Sequence, residues 1–385
     1  MLALHLVIAW QSRDLVRKGY PDFTIFYSAG KIVREGLGRQ MYDEATQYRV
    51  QQEFAGGVSI RQSALPYNHP PFEALLFVPF TYLPYFPAYL CWGAINLLLI
   101  AGLSSWLRPH LPLLRAAPAA LWAVAGLSFF PIFVSFLQGQ DMVLLLAMLS
   151  LTFLAIEKNA DVAAGGCLAL GMFRPHLVLP MLLFLLWRRG AKVLLGFIPV
   201  STLLLLVSIA VVGWKGLLSY PGYVWHIEQT MGRGAIVPAD MPNIRGLADT
   251  LLGRFSPIFS LLLTPAVSLI LVVFAAGKRG KSDKIRHLQF SLWIITTVLV
   301  SYHAFAYDLS LLVLPMLLVW DYARSATGNR TTNRLLILPI LFLLTSPLQM
   351  VLRLRYGLMS LIALVLLLWW WAIAREVRAV ESSTA

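Results

Sequence analysis

Apolar runs separated by short polar connectors fill most of the chain, and they are too long and too closely spaced for a soluble fold. The stretches 86–107 (FPAYLCWGAINLLLIAGLSSWL) and 356–374 (YGLMSLIALVLLLWWWAIA) match the roughly 20 residues that cross a hydrocarbon core of about 30 Å. Further apolar segments occupy 116–137, 140–156, 163–173, 175–187, 193–213, 256–276, 288–302, 309–320 and 335–350. Several of these fall short of the roughly 17 residues needed to span. Short apolar helices are tolerated where they border a water-filled cavity instead of lipid, so their clustering points to an internal site. The pattern predicts an all-α, polytopic transmembrane helix bundle, a single integral-membrane domain over residues 1–385.

The opening run MLALHLVIAW is too short to span, and no small-residue cleavage site follows, so a removable signal peptide is not expected. It reads as the end of a first helix. Residues 11–70 form a polar interlude with helix-compatible patterning in FTIFYSAGKIVREG and MYDEATQYRVQQEF, broken at Gly36-Leu37-Gly38 and Gly56-Gly57. This first large outer loop is expected to carry amphipathic helices lying on the membrane surface. Between Pro70 and Pro87 the prolines are too frequent for one straight helix, which predicts a short span or a re-entrant piece.

Composition supports the membrane assignment. Only 13% of the 385 residues are charged and 58% are hydrophobic, against roughly 25% charged in a soluble domain, and the mean hydropathy is +0.72. The formal charge of +13 does not imply a nucleic-acid partner, because Lys and Arg sit in short clusters between apolar runs and form no single basic face. The positive-inside rule accounts for them. Arg188-Arg189-Lys192, Lys278-Arg279-Lys281-Lys284-Arg286 and Arg324-Arg330-Arg334 mark cytoplasmic loops. The stretch 214–255, the turn SYHAFAYD at 301–308 and the turn at 138–141 then face outward, with 11–70 placed on the same side. Arg108 and Arg115 prefer the cytoplasm, leaving the parity of 70–116 open. Cys91 and Cys167 lie singly in apolar segments and read as small core residues. The two halves show no repeated hydropathy of the kind expected from an inverted-repeat transporter.

Ionisable groups at membrane depth are expensive and therefore informative. Asp22, between Tyr20-Pro21 and the helical FTIFYSA, is a candidate carboxylate at a helix mouth, where Asp is equally favoured as an N-cap. In Pro66-Tyr67-Asn68-His69-Pro70-Pro71-Phe72-Glu73, Tyr, His and Glu line a proline-stiffened segment, although a Pro-started helix with interfacial tyrosines explains it as well. The turn Gln138-Gly139-Gln140-Asp141 joins two apolar helices, and Asp141 reads as a cap of the second. Arg174-Pro175-His176 breaks a stretch that would otherwise run from 163 to 187. A guanidinium suits phosphate and the helix beginning at Pro175 offers unpaired N–H donors, so this break is read as an anion site, the alternative being an ion pair with a buried carboxylate. His303, Tyr307 and Asp308 meet in an outer turn, as ligands or as caps. The outer stretch 214–255 holds Trp225, His226, Asp240, Asn243 and Arg245, a mixture suited to sugar stacking and hydroxyl recognition.

The ordered series PDFTIFYSAGKIVREG with MYD, YNHPPFEALLFVPFTYLP with Trp92 and Asn96, GQDMVLLLAML, ALGMFRPHLVLPMLLFLLWRRG, MPNIRGL and HAFAYDLSLLVLP resembles the polyprenyl-phosphate-dependent glycosyltransferases of family 87, which have the integral-membrane GT-C architecture. The resemblance implies roughly ten to twelve membrane helices and transfer of a hexose, mannose being the expected one. The donor would be a polyprenyl-phosphate sugar and the acceptor a lipid or glycan, at the bacterial inner (plasma) membrane. The family's acidic base in the first outer loop maps onto Asp22. Arg174 stands where members commonly have Lys, and Asp141 where they often have Asn. Arg174, His176 and His69 are then the expected phosphate contacts, and Tyr67, Glu73, Gln140, Asn243, Arg245, His303, Tyr307 and Asp308 the expected substrate contacts. No metal or other cofactor is expected, because a carrier monophosphate does not require one and the sequence offers no ligand cluster. A lipid-linked glycan flippase would use the same cavity without breaking a bond. A membrane scaffold would have no use for the Arg174 break.

Overall fold

A computed structural model describes residues 1–57, 64–112, 115–231, 237–253, 257–276, 285–325 and 330–383. Lys278, Arg279, Lys281 and Lys284, part of the second basic cluster, and the stretches 232–236 and 254–256 of the second outer loop lie outside the described residues. Those described form helices and connectors, with no strand among them. The chain begins with α1 (Leu2–Arg17), α2 (Phe23–Arg34), α3 (Glu44–Ala55) and the one-turn α4 (Ala74–Phe77). Then come α5 (Tyr85–Leu107), α6 (Ala119–Leu127), α7 (Phe130–Gln138), α8 (Met142–Glu157), α9 (Asp161–Leu170), α10 (Pro175–Arg189) and the long α11 (Leu194–Met231). The remainder comprises α12 (Ile244–Leu252), α13 (Pro257–Ala276), α14 (Arg286–Val300), α15 (Val313–Ser325), α16 (Arg330–Leu343), α17 (Ser346–Val351) and α18 (Ile362–Ser383).

Among the described residues, three helical stretches are long and apolar enough to cross a membrane alone: Tyr85–His110, Ala191–Ile227 and Met359–Ser382. The helices α6 and α7 reach that length only together, as a broken span or a re-entrant loop, and meet at a 75° bend where Phe129 takes an extended conformation ahead of Phe130-Pro131. The other apolar segments are shorter helices. Their breaks follow from the sequence: Pro175 starts α10 at a position that needs no N–H, and Gly213, at φ 73°, kinks α11. The bundle is all-α, as the pattern of apolar runs predicts.

The two ends of the bundle are chemically distinct. At one end lie the start of α8 and the break before α10; at the other Arg189 pairs with Asp161 at 2.6 Å, Arg286 with Glu157 at 3.0 Å and Arg188 with Glu381 at 3.1 Å. The paired, basic end is the one that the positive-inside rule assigns to the cytoplasm. Helix α5 has its two ends at opposite ends of the bundle. Its first residue, Tyr85, accepts from Thr24 Oγ1 at 3.1 Å, while Arg108 follows its last turn, roughly 34 Å away at 1.5 Å per residue. Residues 66–84 therefore stay on the side of α2. The expected short span or re-entrant piece from Pro70 to Pro87 is instead a chain of one-turn helices, 71–73, α4 and 78–82, folded against α2.

Packing separates into two cores. The larger runs through α8, α10, α14, α15 and α18. The smaller gathers Phe23, Phe26, Ile32, Tyr67, Phe77 and Trp92 at the end that carries α2. The surface-lying helices expected in 11–70 are thus only partly so. In α2 the polar Thr24 and Ser28 are buried along with Phe23, Phe26, Ala29 and Ile32, because α3 and the segment 71–82 cover it. The helix pair α9 and α11 crosses at backbone contact: a Cβ on Gly165 would lie 2.0 Å from the Val193 carbonyl oxygen, and one on Gly196 would lie 1.9 Å from that of Val162. Small residues at such crossings let helices associate without a hydrophobic driving force from water.

Candidate active site

The seam between the two cores is polar. On one wall, the backbone of 65–70 has no secondary structure of its own and its polar groups are satisfied by side chains, as burial requires. Gln47 Oε1 accepts from Tyr67 N at 2.9 Å and Gln51 Oε1 from Leu65 N at 2.9 Å. Tyr42 donates to the His69 carbonyl at 2.8 Å, Tyr220 to that of Asn68 at 3.1 Å and Tyr67 to that of Pro70 at 2.9 Å. Held this way, the segment delivers His69 and Glu73 to the seam, where His69 Nδ1 and Glu73 Oε2 lie 2.7 Å apart.

The second wall is the turn between α7 and α8. Gly139 ends α7 in the left-handed conformation, φ 64°, and a Cβ there would meet Phe23 Cβ at 2.7 Å. Only glycine allows both the backbone angle and the approach of α2. Trp92 Nε1 donates to the Gly139 carbonyl at 3.0 Å and Tyr89 to that of Phe136 at 2.9 Å, which pins the turn to α5. Asp22 is brought to this turn. Its backbone N–H donates to Gln138 Oε1 at 3.1 Å, and its Oδ2 accepts from Gln140 Nε2 at 2.7 Å. Its side chain makes no capping bond to α2, so the capping alternative is set aside by geometry.

The third wall is the break before α10. Arg174, 6% exposed, directs Nε and Nη2 at Asp141, with contacts of 2.6, 3.0 and 3.1 Å, while Nη2 also donates to Gln140 Oε1 at 2.6 Å. Asp141 is fully buried and makes no capping bond, which corrects its reading as a cap of α8. Of the two readings of Arg174, the ion pair with a buried carboxylate is realised, leaving Nη1 without a hydrogen bond among the described residues. Its guanidinium also lies 5.9 Å from the ring of Tyr307. Asp22 and Arg174, 152 positions apart, are consequently joined through one amide, that of Gln140.

The surroundings are dense in titratable groups. Burial, and then the Arg174 charge, push the His69 imidazole down to about 3, leaving it neutral. Burial, and then the charge on Asp141, push the Glu73 carboxyl up. Both shifts favour the neutral forms of the two groups at their 2.7 Å contact. Nε2 of His176 is buried with no hydrogen-bond partner among the described residues. His69, Glu73 and Asp141 bring ligand-type atoms within 4.8 Å of one another, a grouping not visible along the chain. A cation bound there would have to share Asp141 with a guanidinium that already supplies positive charge.

Several expected substrate contacts have other partners. Tyr67 is fully buried and uses its hydroxyl on Pro70. Asn243 is also buried; its Oδ1 caps α12 by accepting from Gly246 N at 2.8 Å, and its Nδ2 donates to the Ser301 carbonyl at 2.7 Å. It ties the start of α12 to the 301–308 turn, with both polar ends used on the backbone. Asp308 Oδ2 accepts from Phe305 N at 2.5 Å and closes that turn. Arg245 lies on the Tyr302 ring, 4.0 Å from its centroid, and donates to the Tyr302 carbonyl. His303 packs edge-on against Phe305. The residues passed over are Asp141 as a partner, Gln138, and the tyrosines 42 and 220. Charge balance signals the first: a lone Arg inside apolar helices needs a carboxylate, and Asp141 opens the neighbouring apolar helix.

Comparison with known proteins gives one family match. The model of glycosyltransferase family 87 matches residues 67–302, well over half of the chain. That segment contributes the walls carrying His69, Glu73, Gln140, Asp141 and Arg174, while Asp22 lies ahead of it. No curated protein and no solved structure gives a significant match. Helical membrane architecture, a buried polar seam and the extent of this match together establish that the chain belongs to glycosyltransferase family 87.

Proposed function

We propose that this glycosyltransferase transfers a hexose, mannose, from a polyprenyl-phosphate carrier to a lipid or glycan acceptor at the outer face of the bacterial plasma membrane. Asp22 takes the proton of the acceptor hydroxyl as that oxygen bonds to the anomeric carbon. The bond from that carbon to the phosphate oxygen breaks, and its electron pair leaves with the polyprenyl phosphate. Arg174, through Nη1, and His176, through its unpartnered Nε2, stabilise the departing phosphate, a role strengthened where water is scarce. No metal or cofactor takes part.

The observation that carries this reading is the link Asp22–Gln140–Arg174. With contacts of 2.7 and 2.6 Å on the two ends of one amide, the carboxylate and the guanidinium lie at most roughly 7–8 Å apart. A lipid donor is further supported by an apolar cavity of about 250 Å³ lined by Leu103, Leu121, Ala125, Leu146 and Leu314. Leu146 stands five residues into the bundle from Asp141, about 7.5 Å at helical rise. A prenyl chain whose phosphate sits at Arg174 would run into it.

The test is a panel of polyprenyl-phosphate sugars offered to the purified protein in nanodiscs with octyl glycosides as acceptors, following release of polyprenyl phosphate. Asp22→Asn should lower kcat by ~10²–10⁴, the range for general-base help, with donor affinity retained. Wild-type turnover in Asp22→Asn would remove the base assignment. Movement of intact donor across a vesicle membrane without release of polyprenyl phosphate would identify a flippase instead.

A further inference from the structure

We propose that Gln140 is a positioning residue, holding the Asp22 carboxylate at a set angle and distance from the Arg174 guanidinium. This rests on the reading of Asp22 as base and Arg174 as phosphate contact, and it replaces the expected direct contact of Gln140 with substrate.

Gln140 is 3% exposed, and both ends of its amide are committed: Nε2 donates to Asp22 Oδ2 and Oε1 accepts from Arg174 Nη2. The orientation is dictated by its partners, since an ionised carboxylate only accepts and a guanidinium only donates. A reversed amide would face each with the wrong group. The backbone beneath is equally constrained. Gln140 N donates to the Ser135 carbonyl at 2.8 Å, and Trp92 Nε1 spans the Gly139 and Gln140 carbonyls at 3.0 and 3.4 Å. A side chain on so fixed a base cannot follow Asp22 if α2 shifts; it holds Asp22 in place.

Two consequences follow. A donor on Oδ2 limits rotation of the carboxylate, so the acceptor hydroxyl meets a base of defined direction; positioning of reacting groups is among the largest contributions to rate. The same bond favours the ionised form of Asp22. Titratable groups near this carboxylate include Arg174 and Asp141 on the walls of the turn, and Tyr307, whose phenol feels the Asp22 charge, with Asp308 beside it. Arg174 also favours ionisation, and Asp141 and Asp308 oppose it. Removing the Gln140 donor therefore moves the protonation of Asp22 to higher pH.

The experiment compares Gln140→Leu, Gln140→Glu and Asp22→Asn in full-length protein, using polyprenyl-phosphate mannose and octyl mannoside. Gln140→Leu should lower kcat by roughly 10–100-fold, shift the acidic limb of the kcat profile up by about one pH unit, and leave the donor KM within about threefold. Gln140→Glu, nearly identical in shape, should shift that limb further, because a second carboxyl then competes with Asp22 for a proton; it provides the readout if Gln140→Leu does not fold. An unchanged acidic limb in a folded variant overturns the positioning role, as does a loss confined to donor KM. Full activity in Asp22→Asn instead overturns the base assignment on which the role rests, whatever the Gln140 variants do.

Discussion

Removing the carboxylate from Asp141 while leaving Arg174 in place should destabilise the protein strongly, and removing both should restore much of the loss. Asp141 accepts three contacts from Arg174, at 2.6, 3.0 and 3.1 Å, and the two side chains are 0% and 7% exposed. Hydrogen bonds to charged groups contribute about 1.5–3 kcal/mol each, but the two ions also lose their hydration, so a simple sum overstates the pair. The larger effect is the guanidinium left behind in Asp141→Leu. It would keep only its bond to Gln140 in a site it cannot leave, and an unpaired buried charge costs about 3–5 kcal/mol. In Asp141→Leu/Arg174→Met the charge is absent, and apolar replacement of a buried pair is often neutral or stabilising. Heating detergent-solubilised protein and measuring the monodisperse fraction by gel filtration should rank wild type and double variant together, with Asp141→Leu well below. A double variant as unstable as the single, or a single variant as stable as wild type, would refute the reasoning. The double variant should still have lost turnover, because Arg174 is gone.

Three further outcomes are expected. Ala125→Phe, which fills the apolar cavity from its exposed wall, should raise KM for a long polyprenyl donor and leave that for a two-isoprene analogue unchanged; equal effects on both would exclude the cavity as the tail site. Asn243→Ala removes a helix cap, about 1 kcal/mol, and leaves the buried Ser301 carbonyl without its donor, about 1–3 kcal/mol more, so the thermal midpoint should fall and the donor KM stay put; a raised KM with unchanged stability would return Asn243 to the substrate contacts. Activity should survive EDTA treatment of the purified protein, and loss of turnover restored by a divalent cation would assign the His69–Glu73–Asp141 grouping to a metal.

Much of the molecule follows from order along the chain alone. Apolar runs of near-membrane length and few charges determine a helical membrane bundle, because in lipid the backbone must satisfy its own polar groups and a helix does so within each apolar run. Helix breaks at Pro175 and Gly139 are equally local, resting on a missing N–H and a left-handed φ. The isolated Arg174 marks the functional end for the same reason, since a charge among apolar helices is too expensive to be incidental. What tertiary structure alone decided is which groups meet. Asp22 and Asp141 are each good helix caps by sequence, and only the packing of α2 on the Gly139 turn shows that neither carboxylate caps anything. Tyr67 and Asn243, polar residues among suggestive neighbours, prove to be used inward, on a carbonyl of the chain and on a loop. Periodicity reports the face a residue occupies, whereas a hydrogen-bond partner 30 or 150 residues away is chosen by how helices pack. The link from Asp22 through Gln140 to Arg174 therefore exists only in the folded chain.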